Sequence, residues 1–192
     1  MTPKHIILAS NSPRRRELLE QVGIQFTADP ADVDESRLPD EPPEVYATRL
    51  ALEKAQATAS RHKDGLVLGA DTVVAVNGFI LGKPASTFDA EDMLAKLSGV
   101  THRVVTGVAI VDASTGRAET ACATTSVRIK RLSPEAIKAY VATGEPMDKA
   151  GGYGIQGRAA VFVTGIDGCY SNVVGLPLSV VADMLETFGW RV

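Results

Sequence analysis

The sequence predicts an α/β domain in which helices flank a mixed, twisted sheet. Short apolar runs alternate with helical patterns along the chain, and prolines stand where the first turns of helices accept them. Asn77-Gly78 separates two apolar runs in the manner of a β-hairpin. With 192 residues, 45% of them hydrophobic, the chain is long enough for a sizeable core. We therefore expect residues 1–192 to form a single domain.

The predicted strands are the apolar runs, and the predicted helices are the segments with a helical period. Strands are expected at 6–9, 66–70, 73–76, 79–81, 104–111, 121–129 and 159–163. Helices are expected at 13–22, 43–60, 89–97, 134–143 and 178–188. The segment 29–44 holds four prolines and seven acidic residues, which predicts an irregular loop.

Charge and composition exclude several classes of function. A net charge of −3 disfavours a general nucleic-acid binder, which usually carries an excess of basic residues. No apolar run approaches the length that spans a bilayer, and the N-terminal run 6–9 is too short for the core of a signal peptide. Cys122 and Cys169 lack metal-ligand spacing and are expected to be reduced thiols. We therefore expect a cytoplasmic protein that forms no stable complex with nucleic acid or membrane.

The first predicted helix begins with three arginines. Arg14 and Arg15 lie one turn before its apolar stripe, close to the hydroxyl of Ser10. Together with the free N–H groups of a helix N-terminus they suggest an anion site, although they could instead bridge to acidic loops. Arg16 lines up with Glu20 and is expected to form a solvated pair on the outer face.

Further polar residues interrupt apolar patterns. Lys54 falls inside the buried stripe of the second helix, so it needs a partner, which could be a purely structural salt bridge. Asp71 interrupts a buried strand among small residues and is either a hydrogen-bonded core residue or part of a site. Lys83 follows the hairpin. The glycine-rich segment 144–157 is either a tight connection or a ligand loop, in which the amide of Gln156 could read a base edge.

Taken together, these residues match the chemistry of a nucleoside triphosphate and a divalent cation. Four positive charges balance a triphosphate, and hard carboxylate oxygens suit Mg²⁺ or Mn²⁺. The cations are Arg14, Arg15, Lys54 and Lys83, and the candidate carboxylates are Glu35, Asp71 and Asp148.

The same segments resemble the Maf family, in the expected order and over nearly the whole chain. They are Leu8–Leu19, Glu35, Lys54, Gly69–Thr72, Gly82–Pro84, Ser98-Gly99 with His102, Asp148–Gly151 and Asn172–Pro177. The resemblance implies a fold similar to that of the inosine triphosphate pyrophosphatases (Ham1-like proteins), with a central cleft and often a homodimer. It also implies an enzyme that hydrolyses a nucleoside triphosphate to the monophosphate and pyrophosphate.

The resemblance further assigns roles to residues. Asp71 matches the proton acceptor of the family, and the other polar positions of the cleft are matched by Ser10, Arg14, Arg15, Glu35, Lys54 and Lys83. The loop Gly154–Gly157 looks like that of the branch acting on dTTP and UTP, in which Arg14, Thr72 and Gln156 match positions linked to base preference. We expect Asp71 and Glu35 to hold the Mg²⁺ or Mn²⁺. Two alternatives are a pyrophosphatase for another nucleotide, such as 7-methyl-GTP, and a nucleotide-binding regulator of cell division without significant turnover.

Overall fold

Strands and helices alternate along residues 4–191, the part of the chain that the computed structural model describes. The strands are β1 (Ile6–Leu8), β2 (Phe26–Ala28), β3 (Leu66–Val76), β4 (Phe79–Leu81), β5 (Thr101–Asp112), β6 (Ala118–Ile129) and β7 (Val163–Asp167). The helices are α1 (Pro13–Gln21), α2 (Pro43–Ala59), α3 (Thr87–Leu97), α4 (Pro134–Val141), α5 (Tyr170–Val174) and α6 (Leu178–Thr187). The predicted α/β class is confirmed.

The strands pair in the order β2-β1-β3-β5-β6-β7, and β4 pairs with β3. β1 runs parallel to both β2 and β3, whereas β3–β4 and β6–β7 are antiparallel. The sheet is therefore mixed, as predicted. Asn77 and Gly78 turn the β3–β4 hairpin with φ values of 48° and 82°, the left-handed backbone that this dipeptide tolerates.

The chain divides into two compact units. Unit 1 contains the described part of Met1–Asp71, Thr106–Ala123 and Gly175–Val192, and unit 2 contains Thr72–Val105 and Thr124–Val174. Strands β3, β5 and β6 each contribute residues to both units. The single domain expected from the sequence stays a prediction.

In unit 1, helix α2 lies directly against the sheet. Its alanines Ala47, Ala51 and Ala55 are fully buried. A Cβ atom on Gly69 would stand 2.3 Å from the carbonyl oxygen of Ala51, and one on Gly107 would stand 2.3 Å from that of Ala47. Since real Cβ atoms do not approach so closely, both strand positions require glycine for the helix to pack here.

Unit 2 has its own apolar core, built around α3 and α4. The rings of Tyr140 and Phe162 meet edge to face, with their centroids 5.3 Å apart. His102 on β5 is also buried there, and its Nε2 lies 2.7 Å from the hydroxyl of Tyr153. Burial lowers the pKa of His102 to about 4, so the imidazole is neutral at physiological pH.

Several local predictions were wrong. The run predicted as a strand at 159–163 is mostly a 3₁₀ helix, Arg158–Phe162, and β7 begins only at Val163. The two strands predicted at 66–70 and 73–76 form one continuous strand, and β2 and α5 were not predicted. Arg16 is half-buried, and its Nε is enclosed without a hydrogen-bond partner, so it does not lie on a solvated outer face. Within residues 4–191, no helix is long and apolar enough to cross a membrane.

Candidate active site

Asp71, Lys54 and Glu35 meet in unit 1. Asp71 lies in the middle of β3, and Lys54 lies on the buried stripe of α2, where the sequence places it. The Nζ atom of Lys54 is 2.6 Å from Oδ1 of Asp71 and 2.7 Å from Oε1 of Glu35. The salt bridge expected for a buried lysine is therefore present, and its two partners are the carboxylates predicted for the site.

The close packing of α2 explains how Lys54 reaches Asp71. Gly69 precedes Asp71 by two residues and lets the backbone of Ala51 approach β3. One helical turn later, the side chain of Lys54 points to the same strand. A larger residue at Gly69 would push this part of the helix away from the carboxylate.

Burial dominates the electrostatics of Asp71, which is only 9% exposed. It raises the pKa of the carboxyl above its usual value, although the positive charges of Lys54 and Arg15 oppose the shift and Glu35 adds to it. A carboxylate with a raised pKa is a better proton acceptor than an exposed aspartate. Asp71 therefore has the environment that a general base requires.

Glu35 differs from Asp71 because its side chain is 57% exposed and lies on the irregular loop predicted at 29–44. Hydrogen bonds join this loop to α2. The hydroxyl of Tyr46 donates to the carbonyl oxygen of Glu35 at 2.7 Å, and Arg49 donates to that of Ser36 at 3.1 Å. Arg49 also forms two hydrogen bonds of 2.7 and 2.8 Å with the buried carboxylate of Glu41. These contacts hold the exposed carboxylate of Glu35 near Lys54.

Arg15 and Ser10 lie on the same side of unit 1. Arg15 donates from Nη1 to Oγ of Ser10 at 3.1 Å and from Nε to the carbonyl oxygen of Gly175 at 2.9 Å. Burial lowers the pKa of Arg15, and the charges of Asp71 and Glu35 counteract it. Arg14 stands beside it at the start of α1 and is half-buried. The structure thus brings cations close to the carboxylates, while the anion site itself stays a prediction.

The other predicted residues belong to unit 2. Thr72 follows Asp71 on β3, and Lys83 is exposed in the connection between β4 and α3. Gln156 is exposed in the glycine-rich segment, which contains two short 3₁₀ helices, Glu145–Asp148 and Ala150–Gly152. Exposure leaves the side chains of Lys83 and Gln156 accessible to a ligand.

The two carboxylates in unit 1 are the type of ligand that a divalent cation such as Mg²⁺ takes. Within residues 4–191, no group of three or more His, Cys, Asp or Glu side chains is placed to hold a metal ion. Two carboxylates, those of Asp71 and Glu35, do converge on one nitrogen. Mg²⁺ commonly takes only one or two carboxylates and completes its shell with water and substrate phosphates.

Comparison with known proteins identifies the family of the chain. The family model described as "Maf: Maf-like protein" matches residues 5–188. The chain belongs to the Maf family. A Maf relative from Moorella thermoacetica named dTTP/UTP pyrophosphatase is 54% identical over 96% of this chain and 95% of its own length. A second protein with the same name, from Pelotomaculum thermopropionicum, is 51% identical over 98% and 99%.

Among solved structures, the Ham1 protein of Staphylococcus aureus is similar to this Maf chain with a TM-score of 0.47 and 19% identity. The similarity covers 66% of this chain and 72% of the Ham1 chain.

Sequence reasoning missed the residues of this Maf chain that support the site without belonging to it. Tyr46 and Arg49 lie outside the buried stripe of α2 and looked like ordinary surface residues. Their partners lie on the irregular loop, at Glu35, Ser36 and Glu41. No helical or strand period links the loop to the helix. The only available signal was the acidic character of the loop, which favours contact with an arginine.

Proposed function

We propose that the chain is a nucleoside triphosphate pyrophosphatase that hydrolyses dTTP and UTP to the monophosphate and pyrophosphate. The observation that carries this proposal is the cluster of Asp71, Lys54 and Glu35, in which a buried carboxylate of raised pKa stands beside an ammonium and a second carboxylate. The family and the name that its close relatives share supply the choice of reaction and substrate.

In the proposed mechanism, Asp71 accepts a proton from water as the water oxygen attacks the α-phosphorus. The bond from the α-phosphorus to the oxygen that bridges it to the β-phosphorus breaks, and pyrophosphate leaves. The raised pKa of Asp71 increases the driving force for this proton transfer, which is typically worth about 10²- to 10⁴-fold in rate.

Positive side chains stabilise the charge that grows on the phosphate oxygens. Lys54 and Arg15 occupy fixed positions in unit 1, and we assign the same role to Arg14 and Lys83. Preorganised donors of this kind are each worth roughly 3–4 kcal/mol of transition-state stabilisation when they are removed singly. Ser10 fixes Arg15 and is assigned to substrate binding.

We assign Asp71 and Glu35 as the ligands of Mg²⁺ or Mn²⁺. When bound, such an ion neutralises phosphate charge and polarises the phosphorus toward attack. Lys54 contacts both carboxylates and so keeps them together in the absence of other cations. Tyr46 and Arg49 then hold the more exposed of the two carboxylates in place.

Base preference is assigned to Gln156, with Thr72 and Arg14. The amide of Gln156 both donates and accepts hydrogen bonds, and uracil and thymine present adjacent donor and acceptor groups. A site built to satisfy such groups rejects bases that leave them unpaired. We therefore expect UTP and dTTP to be better substrates than CTP, ATP and GTP.

The test is the release of pyrophosphate from these five nucleotides with Mg²⁺ or Mn²⁺. Wild type is compared with Asp71→Asn and with Asp183→Asn, which removes an exposed carboxylate on α6. We expect preferential release from UTP and dTTP that only Asp71→Asn abolishes. Release of orthophosphate would show that a different bond is broken. An absence of turnover would favour a nucleotide-binding regulator, and preference for a methylated purine would favour the other branch.

We further propose that residues 1–192 act as one catalytic domain, as a cytoplasmic homodimer that forms no stable complex with nucleic acid. Three strands contribute to both units, and the family match spans 184 consecutive positions, from 5 to 188. The two free thiols, Cys122 and Cys169, are consistent with a reducing compartment. A single calorimetric transition and a dimer mass in light scattering are the expected results.

A further inference from the structure

The side chains of Tyr140 and Glu145 together hold both ends of the segment 154–157. At its far end, Oε2 of Glu145 accepts a hydrogen bond from the backbone N–H of Arg158 at 3.0 Å. At its near end, the hydroxyl of Tyr140 donates to Oε1 of Glu145 at 2.9 Å and accepts from the N–H of Gly154 at 3.2 Å. The segment is therefore attached to a Tyr140–Glu145 pair at two points.

The backbone at both ends of the segment also lies close to charged side chains. A Cβ atom on Gly157 would stand 2.2 Å from Oε1 of Glu145. One on Gly154 would stand 2.4 Å from Cε of Lys149, whose ammonium donates to the carbonyl oxygen of Glu145 at 2.8 Å. The backbone thus lies directly on the side chains of Glu145 and Lys149, which would have to shift to admit a Cβ atom at either end.

The Tyr140–Glu145 pair combines a protonated hydroxyl with an ionised carboxylate. Tyr140 is buried, and its ring packs edge to face on Phe162. Burial, followed by the bond to Glu145, raises the pKa of Tyr140, so its hydroxyl stays protonated. Burial alone would raise the pKa of Glu145, but the N–H groups of Arg158 and Ala159 and the Tyr140 hydroxyl hold it below its usual value.

Between these two attachment points, the side chain of Gln156 is exposed. Hydrogen bonds to the backbone fix the position from which this side chain projects, and so limit where its amide can reach. If the backbone of the segment were free to shift, the amide could move to satisfy cytosine as readily as uracil.

We infer that Tyr140 and Glu145 are positioning residues for base selection, which hold the Gln156 segment so that its amide favours uracil and thymine over cytosine. This inference rests on the proposed base-reading role of Gln156. Neither residue contacts the nucleotide in this scheme, and both act through the backbone of the segment.

The main test is Tyr140→Phe, which keeps the ring and its packing on Phe162 but removes the hydroxyl that links Glu145 to Gly154. We expect kcat for UTP to stay within about twofold of wild type and KM to rise roughly fivefold, because one hydrogen-bonded link is worth about 1 kcal/mol. The ratio of kcat/KM for UTP to that for CTP should fall roughly fivefold, because CTP does not use the same positioning. The matched control is Tyr170→Phe, on a half-exposed tyrosine of α5, which should change neither value.

A double mutant separates positioning from general destabilisation. If Tyr140 acts through Gln156, adding Tyr140→Phe to Gln156→Ala should change the UTP-to-CTP ratio no further. Glu145→Gln, which weakens the hydrogen bonds to Arg158 and Tyr140, should reproduce the loss of selectivity. If the Glu145→Gln protein does not fold, Tyr140→Phe alone is a sufficient test.

The outcomes distinguish this inference from the proposed function. If the UTP-to-CTP ratio of kcat/KM falls in Gln156→Ala but is unchanged in Tyr140→Phe, the inference is overturned and the proposed function is unaffected. An equal loss of kcat for every nucleotide would show that Tyr140 is only structural and would also overturn it. A ratio unchanged in Gln156→Ala would refute the base-reading role and the inference with it.

Discussion

Replacing Gly69 by alanine tests whether the close approach of α2 to β3 builds the site. The added Cβ would stand 2.3 Å from the carbonyl oxygen of Ala51, 2.9 Å from the backbone nitrogen of Ala55 and 3.0 Å from its Cβ. The first two neighbours are backbone atoms of a helix, so rotation of a side chain cannot relieve the contact. The helix must retreat by about 1 Å to reach an ordinary van der Waals distance.

The size of the effect follows from two opposing contributions. Overpacking of this kind costs about 1–3 kcal/mol, whereas exchanging glycine for alanine stabilises by about 0.4–1 kcal/mol through the unfolded chain. The net loss in the free energy of unfolding is about 1–2 kcal/mol, which lowers Tm by about 2–8 °C in a chain of this length. Lys54 lies one turn beyond Ala51 and moves with the helix. A displacement of this size can cost about 10²-fold in kcat.

The assay pairs thermal unfolding with pyrophosphate release from UTP. The control is Gly82→Ala, because a Cβ there meets nothing within 4 Å and its φ is not in the left-handed region. Its Tm should be unchanged or slightly raised. Gly107→Ala, which meets the backbone of Ala47 at 2.3 Å, should lower Tm as Gly69→Ala does. A Gly69→Ala protein with the wild-type Tm and kcat would refute the argument that the helix must sit this close.

Three further predictions concern buried ionisable groups. Glu41→Gln should lower the free energy of unfolding by about 1–2 kcal/mol, because Arg49 loses a charged partner. Since Arg49 holds the pKa of Glu41 below its usual value, this difference from wild type should shrink as the pH falls below 4.5 in denaturant titrations. His102 has a pKa of about 4 when folded, against 6.5 when unfolded, so wild type should lose about 2 kcal/mol through it between pH 7 and pH 5. His102→Gln should show a flatter profile, and an equal slope would contradict the burial argument. Burial raises the pKa of Asp71, so its contribution to stability falls as the pH rises through that pKa. Asp71→Asn should therefore be inactive yet melt above wild type at neutral pH, and a lower Tm there would mean that the bond to Lys54 outweighs the cost of burial.

Local patterns predicted the regular elements well where a period or a turn residue marked them. α2 begins at Pro43 and buries the stripe that includes Lys54, as its helical period indicates. The Asn77-Gly78 turn forms because both residues tolerate positive φ. The strand predicted at 159–163 was wrong because a short apolar run does not distinguish a strand from a 3₁₀ turn. Here Glu145 caps the backbone of that turn from 13 residues away.

The candidate site was predicted as a set of unusual residues, and the structure supplied their pairing within unit 1. A lysine on an apolar stripe and an aspartate in an apolar strand each require a partner, so the two were recognisable separately. Nothing in the spacing of Lys54 and Asp71 says that they meet. Their contact depends on Gly69, which lets the helix approach the strand. The prediction for Arg16 was wrong because helical spacing pairs it with Glu20, whereas the surrounding fold encloses its Nε atom.

The sequence by itself determined the fold class and the candidate residues for chemistry, because periodicity, turn residues and misplaced charges are local properties. Its resemblance to the Maf family indicated the family. Only the tertiary structure decided which of those residues share an environment, as Glu35, Lys54 and Asp71 do. It also revealed the supporting contacts of Tyr46 to Glu35 and of Tyr140 to Glu145. Such contacts form where segments come close together in the fold, and no helical or strand periodicity in the sequence predicts which segments do so. Burial at these contacts then shifts the pKa of the enclosed groups.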